Sequence, residues 1–254
     1  MRQLFLCVNI IIIYSAKMNT LKKILRPIFS PLIRSLLPWR KQFKNFKILS
    51  SQYGQFKTIY DWNCVDAEGQ EIPWYTYPAT EFLKQLDFKN KTVFEYGSGN
   101  STIFWSKRCK SILSVEDDKK WFDKIAKSLP ENVDYRFTND KDEYVNLPSR
   151  LDQKFDVIIV DGSYRSECAS VAALHLKSDG FIILDNSDWY EATSSALREK
   201  DFIEIDMAGF GPINNYTWTT SIFLRRGVDL RPLADEQPKN SIGSLVNKEL
   251  TRQE

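Results

Sequence analysis

The sequence predicts an α/β domain built on a mostly parallel, doubly wound sheet of seven strands, with an antiparallel last strand and helices in layers on both faces. Strand and helix patterns alternate five times from Thr92 onward, and the last two strands follow each other across a short loop without a helix. The segment 155–160 is an almost uninterrupted apolar run, which is typical of a parallel strand covered by helices on both faces.

The first helix of this domain is predicted to open at Pro78, since proline is favoured in the first turn of a helix. Its apolar positions, including Leu83 and Leu86, are expected to face the core. Further helices are predicted at 101–108, 121–130, from Arg165 to Lys177, and at 192–200. The predicted strands are Thr92–Tyr96, Ile112–Glu116, Val133–Phe137, Phe155–Val160, Phe181–Leu184, Phe202–Asp206 and Thr217–Leu224.

A glycine turn follows the first strand. Gly97 and Gly99 permit a positive φ and a close approach of the backbone to a ligand. The next helix is predicted to begin at Ser101 or Thr102, both good N-cap residue types, and to leave free N–H groups facing the turn. Such a strand–turn–helix–strand unit has the shape of a nucleotide site, although it can also be purely structural.

Two ligands compete for this turn. A dinucleotide fingerprint requires a glycine or alanine where Thr102 stands, and the carboxylate of Glu95 would repel a pyrophosphate. A ligand with an ammonium group suits Glu95, and a ribose diol suits Glu116 at the end of the second strand. The E-x-G-x-G pattern, followed 19 residues after Gly97 by Glu116, resembles the Rossmann-like class I S-adenosylmethionine-dependent methyltransferases.

The resemblance covers roughly residues 74–224 and implies methyl transfer, most simply to an oxygen of a small molecule or a sugar. S-adenosylmethionine is the implied cofactor. The residues that the resemblance implies as its binding site are Glu95, Gly97, Ser98, Gly99, Ser101, Glu116, Asp117 and Asp140.

A second group of polar residues closes two later strands. Asp161 follows the fourth strand, and Asp185 and Asn186 follow the fifth, so all three are expected at the ligand-binding edge of the sheet. They resemble the metal triad of the catechol, caffeoyl-CoA and macrocin-type O-methyltransferases, which implies Mg²⁺ bound by Asp161, Asp185 and Asn186. Tyr164 stands where the catechol-type enzymes carry a lysine base, and this departure puts the catechol chemistry in doubt.

Two other roles stay open for this edge. Without a metal, Asp161 is the best general base, and Arg165 would orient an anionic substrate. Alternatively, Asp185 and Asn186 only cap the helix predicted to begin near Ser187.

Charge is distributed unevenly along the chain. The first 50 residues hold ten Lys and Arg and no acid, whereas the remaining 204 carry 25 bases against 33 acids. An excess of acidic residues in this larger part of the chain argues against a broad nucleic-acid-binding surface. The four cysteines are scattered without a C-x-x-C pair, which is typical of a reduced, cytoplasmic protein, and the single histidine excludes His-based triads.

The chain is expected to comprise a basic N-terminal arm (1–49), the catalytic domain (50–226) and a loose polar tail (227–254). The apolar run 4–14 is a signal-like leader or precedes a true start at Met18. The stretch 18–45 has a basic amphipathic pattern interrupted by prolines, and we expect it to touch a membrane surface or to pack on the domain or on a partner.

Two other functions remain possible from the sequence. Aminopropyl transfer from decarboxylated S-adenosylmethionine would need a further cluster of acids to receive a polyamine, and the sequence shows none. A catalytically inactive module with the same fold would dock to a membrane or a protein partner through its basic arm and would have no affinity for the cofactor.

Overall fold

The computed structural model describes residues 36–234 and 237–245. The chain divides into two units after Ile48. In the first unit, residues 36–47 are helical (α1), whereas the apolar run 4–14, Met18 and most of the predicted arm lie outside the described residues. In the described part of the chain, every helix is too short or too polar to cross a membrane.

The second unit is built on one sheet of seven strands, in the order β3-β2-β1-β4-β5-β7-β6. Neighbours from β3 to β5 are parallel, and β7 runs antiparallel to both β5 and β6. The predicted doubly wound, Rossmann-like topology is therefore confirmed. The strands are β1 (Thr92–Tyr96), β2 (Ser111–Glu116), β3 (Val133–Phe137), β4 (Phe155–Val160), β5 (Leu176–Asp185), β6 (Ile203–Gly209) and β7 (Trp218–Leu224).

Helices cover both faces of the sheet. One core lies between the sheet and α3 and α4, and a second lies between the sheet and α6, α7 and α8. Side chains alternate between them, since Phe94 and Tyr96 point to the second core and Val93 points to the first. The helices are α2 (Gln55–Asp61), α3 (Tyr77–Leu83), α4 (Asn100–Ser106), α5 (Lys119–Ile125), α6 (Lys141–Asn146), α7 (Arg165–His175) and α8 (Glu191–Glu199).

Strand β5 begins earlier than predicted. Helix α7 ends at His175, and Leu176 already pairs with Phe155 of β4. Gly180 lies where the strand passes close to its neighbour, since a Cβ there would come within 2.5 Å of the Asp156 carbonyl oxygen. Because of this pairing, residues 176 and 177, which were predicted to end α7, belong to β5 instead.

The first part of the C-terminal tail, expected to be loose, is hydrogen-bonded to the end of α3 and the turn after it. The Leu233 N–H donates to the Gln85 carbonyl at 2.8 Å, and the Asp87 N–H donates to the Arg231 carbonyl at 2.9 Å. The Ile242 N–H also donates to the Glu81 carboxylate at 3.1 Å. The polar composition of this stretch reflects exposure of its side chains, whereas its backbone is tied to the domain.

The strand order reverses between β1 and β4, where open α/β sheets bind ligands at the carboxyl ends of the strands. Here the turn after β1 packs against the turn after β4, and each turn contributes a glycine to the contact. Gly97 has a φ of 86°, and a Cβ on it would lie 2.9 Å from the Gly162 Cα. A Cβ on Gly162 would overlap the Tyr144 hydroxyl and lie 2.7 Å from the Gly97 nitrogen.

We predict that Gly162→Ala lowers the free energy of unfolding by roughly 1–3 kcal/mol, because the added methyl group must push apart two backbone turns that cannot repack independently. Denaturant unfolding measures the change. Gly227→Ala is the matched control, because a Cβ there would meet only the Ser178 carbonyl oxygen at 3.4 Å. Equal stability of the two variants would show that the two turns are not in close contact.

Candidate functional site

An open cavity of about 650 Å³ lies at the carboxyl edge of the sheet, at the reversal of the strand order. The turn after β1, the ends of β2, β4 and β5, and the loop between β6 and β7 contribute to its wall. The segment after α2 closes the remaining side. Predicted site residues that line this cavity are Gly97, Ser98, Gly99, Ser101, Glu116, Asp117, Asp161, Arg165, Asp185 and Asn186.

The start of α4 differs from the sequence prediction. Gly99, rather than Ser101 or Thr102, is the N-cap residue. The Thr102 hydroxyl lies inside the first turn, where it accepts the Gly99 N–H at 3.1 Å. The Trp121 indole donates to the Ser98 carbonyl at 2.8 Å. The turn is thus held from both sides, and its backbone faces the cavity.

Glu95 does not line the cavity, contrary to the prediction that it meets an ammonium group. Its side chain points behind the turn and is almost fully buried. One carboxyl oxygen accepts from the Thr102 hydroxyl at 2.6 Å and from the Ser114 hydroxyl at 2.8 Å, and the other has no hydrogen-bond partner. Burial raises the pKa of Glu95 to about 7, although hydroxyl donors that include Thr102 and Ser114 oppose the rise. Glu95 therefore organises the turn from behind.

Glu116 ends β2 with its carboxylate at the cavity, where a ribose diol was predicted. One oxygen accepts the N–H groups of Asp117 and Asp118, both at 3.0 Å. The other accepts from the Ser98 hydroxyl at 2.6 Å, and this hydroxyl also contacts the Tyr135 hydroxyl at 2.7 Å. Burial raises the pKa of Glu116, while the Ser98 hydroxyl and the two N–H groups lower it. The protein thus holds both carboxylate oxygens in place, and the side chain lines the cavity.

Asp140 is the predicted cofactor residue that the structure places elsewhere. It is the N-cap of α6, and its carboxylate accepts the Glu143 N–H at 2.7 Å. It is not among the residues that line the cavity. The cause is local, because an aspartate directly before a helix satisfies a free N–H of the first turn.

The Arg165 guanidinium lies at the centre of the acceptor edge. Its Nε donates to the Gly162 carbonyl at 3.0 Å, and its Nη1 donates to the Asp185 carbonyl at 2.7 Å and to the Asn186 amide oxygen at 2.8 Å. Its Nη2 lies 3.3 Å from the Asp161 carbonyl oxygen and 3.1 Å from the Asp161 carboxylate. A guanidinium has five N–H groups. Four of them donate to protein oxygens, and the charge of the guanidinium is paired with the Asp161 carboxylate, so Arg165 is held in the wall by the protein.

The predicted metal ligands do meet, but their arrangement does not fit a divalent cation. The Arg165 guanidinium already binds the side-chain oxygens of Asp161 and Asn186. Arginine thus supplies the positive charge that was predicted to come from Mg²⁺. Asn186 also provides no side-chain cap for the turn after it.

The two carboxyl groups at this edge differ in environment. Asp185 is buried and accepts from the Trp218 indole at 3.1 Å and from the Thr220 hydroxyl at 2.5 Å. Burial and the neighbouring charge of Asp161 raise the pKa of Asp185 well above its usual range. Burial also raises the pKa of Asp161, to about 6, against the opposing charge of Arg165. Both carboxyl groups therefore bind a proton more readily than an exposed aspartate does, and the charge of Arg165 opposes this effect at each.

Indole rings form much of the cavity wall, a feature that the sequence interpretation largely missed. Five of the seven tryptophans line it, and Tyr216 adds a sixth ring. Of the aromatic residues in 74–77, only Trp74 lines the cavity, because Tyr75 and Tyr77 are buried in the core. The available signal was that three of these tryptophans, Trp62, Trp74 and Trp189, lie outside the predicted strands and helices. The five are Trp62, Trp74, Trp121, Trp189 and Trp218.

Comparison with known proteins adds only a fold resemblance. No protein-family model matches this sequence, and no curated protein matches it. A solved rRNA methylase from Streptococcus thermophilus is 16% identical with a TM-score of 0.41, over 58% of this chain and 96% of that chain. A precorrin-6y C5,15-methyltransferase from Geobacter metallireducens is 16% identical with a TM-score of 0.44, over 57% and 86%.

The N-methyltransferase NodS from Bradyrhizobium japonicum, in complex with S-adenosyl-L-homocysteine, is 12% identical with a TM-score of 0.41, over 56% of this chain and 79% of that chain. These identities and scores are too low to transfer a ligand or a reaction to this chain. Function must therefore be inferred from the geometry of the cavity.

The raised pKa of Glu95 predicts a specific pH dependence of stability. Below about pH 4, both folded and unfolded chains carry this carboxyl protonated. As the pH rises toward 7, the unfolded chain loses the proton while the folded one keeps it, so the folded state loses stability. Relative to Glu95→Gln, which cannot ionise, we expect the wild-type free energy of unfolding to fall by on the order of 3 kcal/mol across this range.

Urea unfolding at a series of pH values measures this difference. Glu131→Gln, which removes an exposed carboxyl group, is the matched control. Parallel stability curves for wild type and Glu95→Gln would contradict the burial of an ionisable group behind the turn.

Proposed function

We propose that this protein is an S-adenosylmethionine-dependent methyltransferase that acts on a hydroxyl group of a small, uncharged acceptor such as a sugar. The observation that carries the proposal is the charge of the cavity around its glycine turn. Four carboxyl groups line it, and the only basic side chain among the described residues of its wall is Arg165, whose charge is paired with the Asp161 carboxylate. Such a cavity favours a cationic ligand and disfavours a pyrophosphate.

The residues present fit this cofactor. The cavity volume of about 650 Å³ lies within the usual range for small-molecule sites, about 300–1,000 Å³. A Cβ on Gly99 would meet only the Trp121 ring, at 3.7 Å, so the turn leaves room for a ligand directly against its backbone. Glu116 would hold the ribose diol from the end of β2, and the exposed Trp121 ring beside the turn offers a flat surface for the adenine.

The acceptor would lie between the ends of β4 and β5 and the indole rings. When bound, S-adenosylmethionine supplies an activated methyl group on a sulfonium, so the protein has only to align the acceptor and remove its proton. Asp161 is the proposed base, because its pKa of about 6 leaves it ionised near neutral pH yet basic enough to accept a proton. Asp161 would accept the hydroxyl proton while the methyl group passed to the acceptor oxygen, with S-adenosylhomocysteine as the leaving product.

The role of Arg165 in this mechanism is positioning. It fixes the carbonyl oxygens at the ends of β4 and β5 and holds one carboxyl oxygen of Asp161 at 3.1 Å. The wall offers no free cation among its described residues, and its indole rings suit stacking on a flat aromatic or sugar ring. These features support a neutral acceptor in place of the anionic substrate predicted from the sequence.

Calorimetric titration of S-adenosylmethionine into the full-length protein tests the proposal. We expect micromolar binding and a loss of tenfold or more, about 1.4 kcal/mol, in Glu116→Gln. This variant keeps an amide oxygen for the N–H groups of Asp117 and Asp118 but replaces the oxygen that would accept from the ribose.

Asp140→Asn is the matched control, because asparagine caps α6 equally well and the side chain lies away from the cavity. Wild-type affinity in this variant, together with weak binding in Glu116→Gln, would support the proposed site. The absence of binding by the folded wild-type protein would contradict the enzyme proposal and favour the inactive docking module.

A further inference from the structure

Helix α1 (36–47) carries an exposed aromatic face. The apolar residues Leu36, Trp39, Phe43 and Phe46 are spaced three, four and three residues apart, which places them along one side of a helix. Their exposed fractions are 56%, 74%, 73% and 61%, respectively. The rings of Phe43 and Phe46 contact each other, with centroids 6.2 Å apart. A continuous aromatic strip on a short helix is costly to leave in water.

Basic residues occupy the side of α1 next to this strip. Arg40, Lys41, Lys44 and Lys47 follow one another around the helix, and α1 contains no acidic residue. The first 50 residues of the chain contain ten Lys and Arg and no Asp or Glu. The positive charge is therefore not compensated within this part of the sequence.

The apolar strip and the adjacent basic side together indicate which kind of surface could cover α1. A second copy of α1 would cover the apolar strip but would bring two strongly basic faces together, which like-charge repulsion opposes. An anionic bilayer satisfies both features, because aromatic rings favour the headgroup region and basic side chains bind the negative surface. We propose that α1 is an interfacial helix that binds the protein to the surface of an anionic lipid membrane.

This proposal is independent of the cofactor and acceptor proposed for the second unit. It also differs from the sequence expectation, which assigned membrane contact to 18–45 and left the packing of the arm open. The inference rests on 36–47, where the aromatic and basic faces are both described. The helix would lie in the plane of the interface, with its rings among the headgroups and the lysine stems reaching up toward the phosphates.

Co-flotation of the full-length protein with lipid vesicles tests the proposal. Vesicles of phosphatidylcholine with phosphatidylserine are compared with vesicles of phosphatidylcholine alone, at low and high salt. We expect binding to the anionic vesicles that falls tenfold or more in high salt, because salt screens exposed charges. A triple variant, Trp39→Ala with Phe43→Ala and Phe46→Ala, and a quadruple variant with Gln at 40, 41, 44 and 47 should each lose at least tenfold.

The matched control removes three exposed apolar side chains from another helix, with Phe56→Ala, Ile59→Ala and Tyr60→Ala in α2. It should bind anionic vesicles like the wild type. Alanine and glutamine keep the helical propensity of α1, and an unchanged unfolding midpoint confirms that each variant is folded.

Three outcomes would overturn the proposal. They are equal binding to neutral and anionic vesicles, full binding by the triple α1 variant, and a loss of binding in the α2 control as large as that in α1. Sedimentation velocity without vesicles provides the last check. A wild-type dimer that the triple α1 variant converts to a monomer would assign the aromatic strip to a second copy of the chain.

Discussion

The acceptor edge of this protein depends on one partly buried interaction, the Arg165 guanidinium among the oxygens that end β4 and β5. Placing two carboxyl groups at neighbouring strand ends is costly unless a positive charge compensates them. Arg165 provides that charge and also satisfies the carbonyl oxygens of Asp161 and Asp185. It therefore links the two strand ends, and its charge opposes the rise in the pKa of Asp161 that burial causes. The geometry of the proposed base follows from this arginine.

Much of the fold was predictable from the sequence, because the patterns that determine it are local. An apolar run such as that of β4 specifies a strand buried on both faces, and the missing helix between β6 and β7 specifies the antiparallel end of the sheet. The position of the site followed as well, since strand ends in a parallel sheet share one edge. Glu116 and Asp161 both stand at strand ends on this edge and line the cavity.

The sequence could not predict side-chain direction within the site. Glu95 was expected to face the ligand, yet it points to the opposite side of the turn, toward hydroxyl groups of α4 and β2. Arg165 was expected to face the substrate, yet acceptors from β5 and its following turn hold it in the wall. These pairings join residues far apart in the chain. The contact of Gly97 with Gly162 was missed for the same reason.

The most direct test is the stability of Arg165→Met, measured by denaturant unfolding with and without Mg²⁺. Removing one partner of this partly buried ion pair leaves the other uncompensated and several strand-end oxygens without a donor, so we expect a loss of roughly 1–3 kcal/mol in the variant. Added Mg²⁺ should not stabilise the wild type, because the guanidinium already binds the side-chain oxygens of Asp161 and Asn186 that would ligate the ion. Stabilisation of the wild type by Mg²⁺, or a loss below about 1 kcal/mol in Arg165→Met, would contradict the structural role of this arginine.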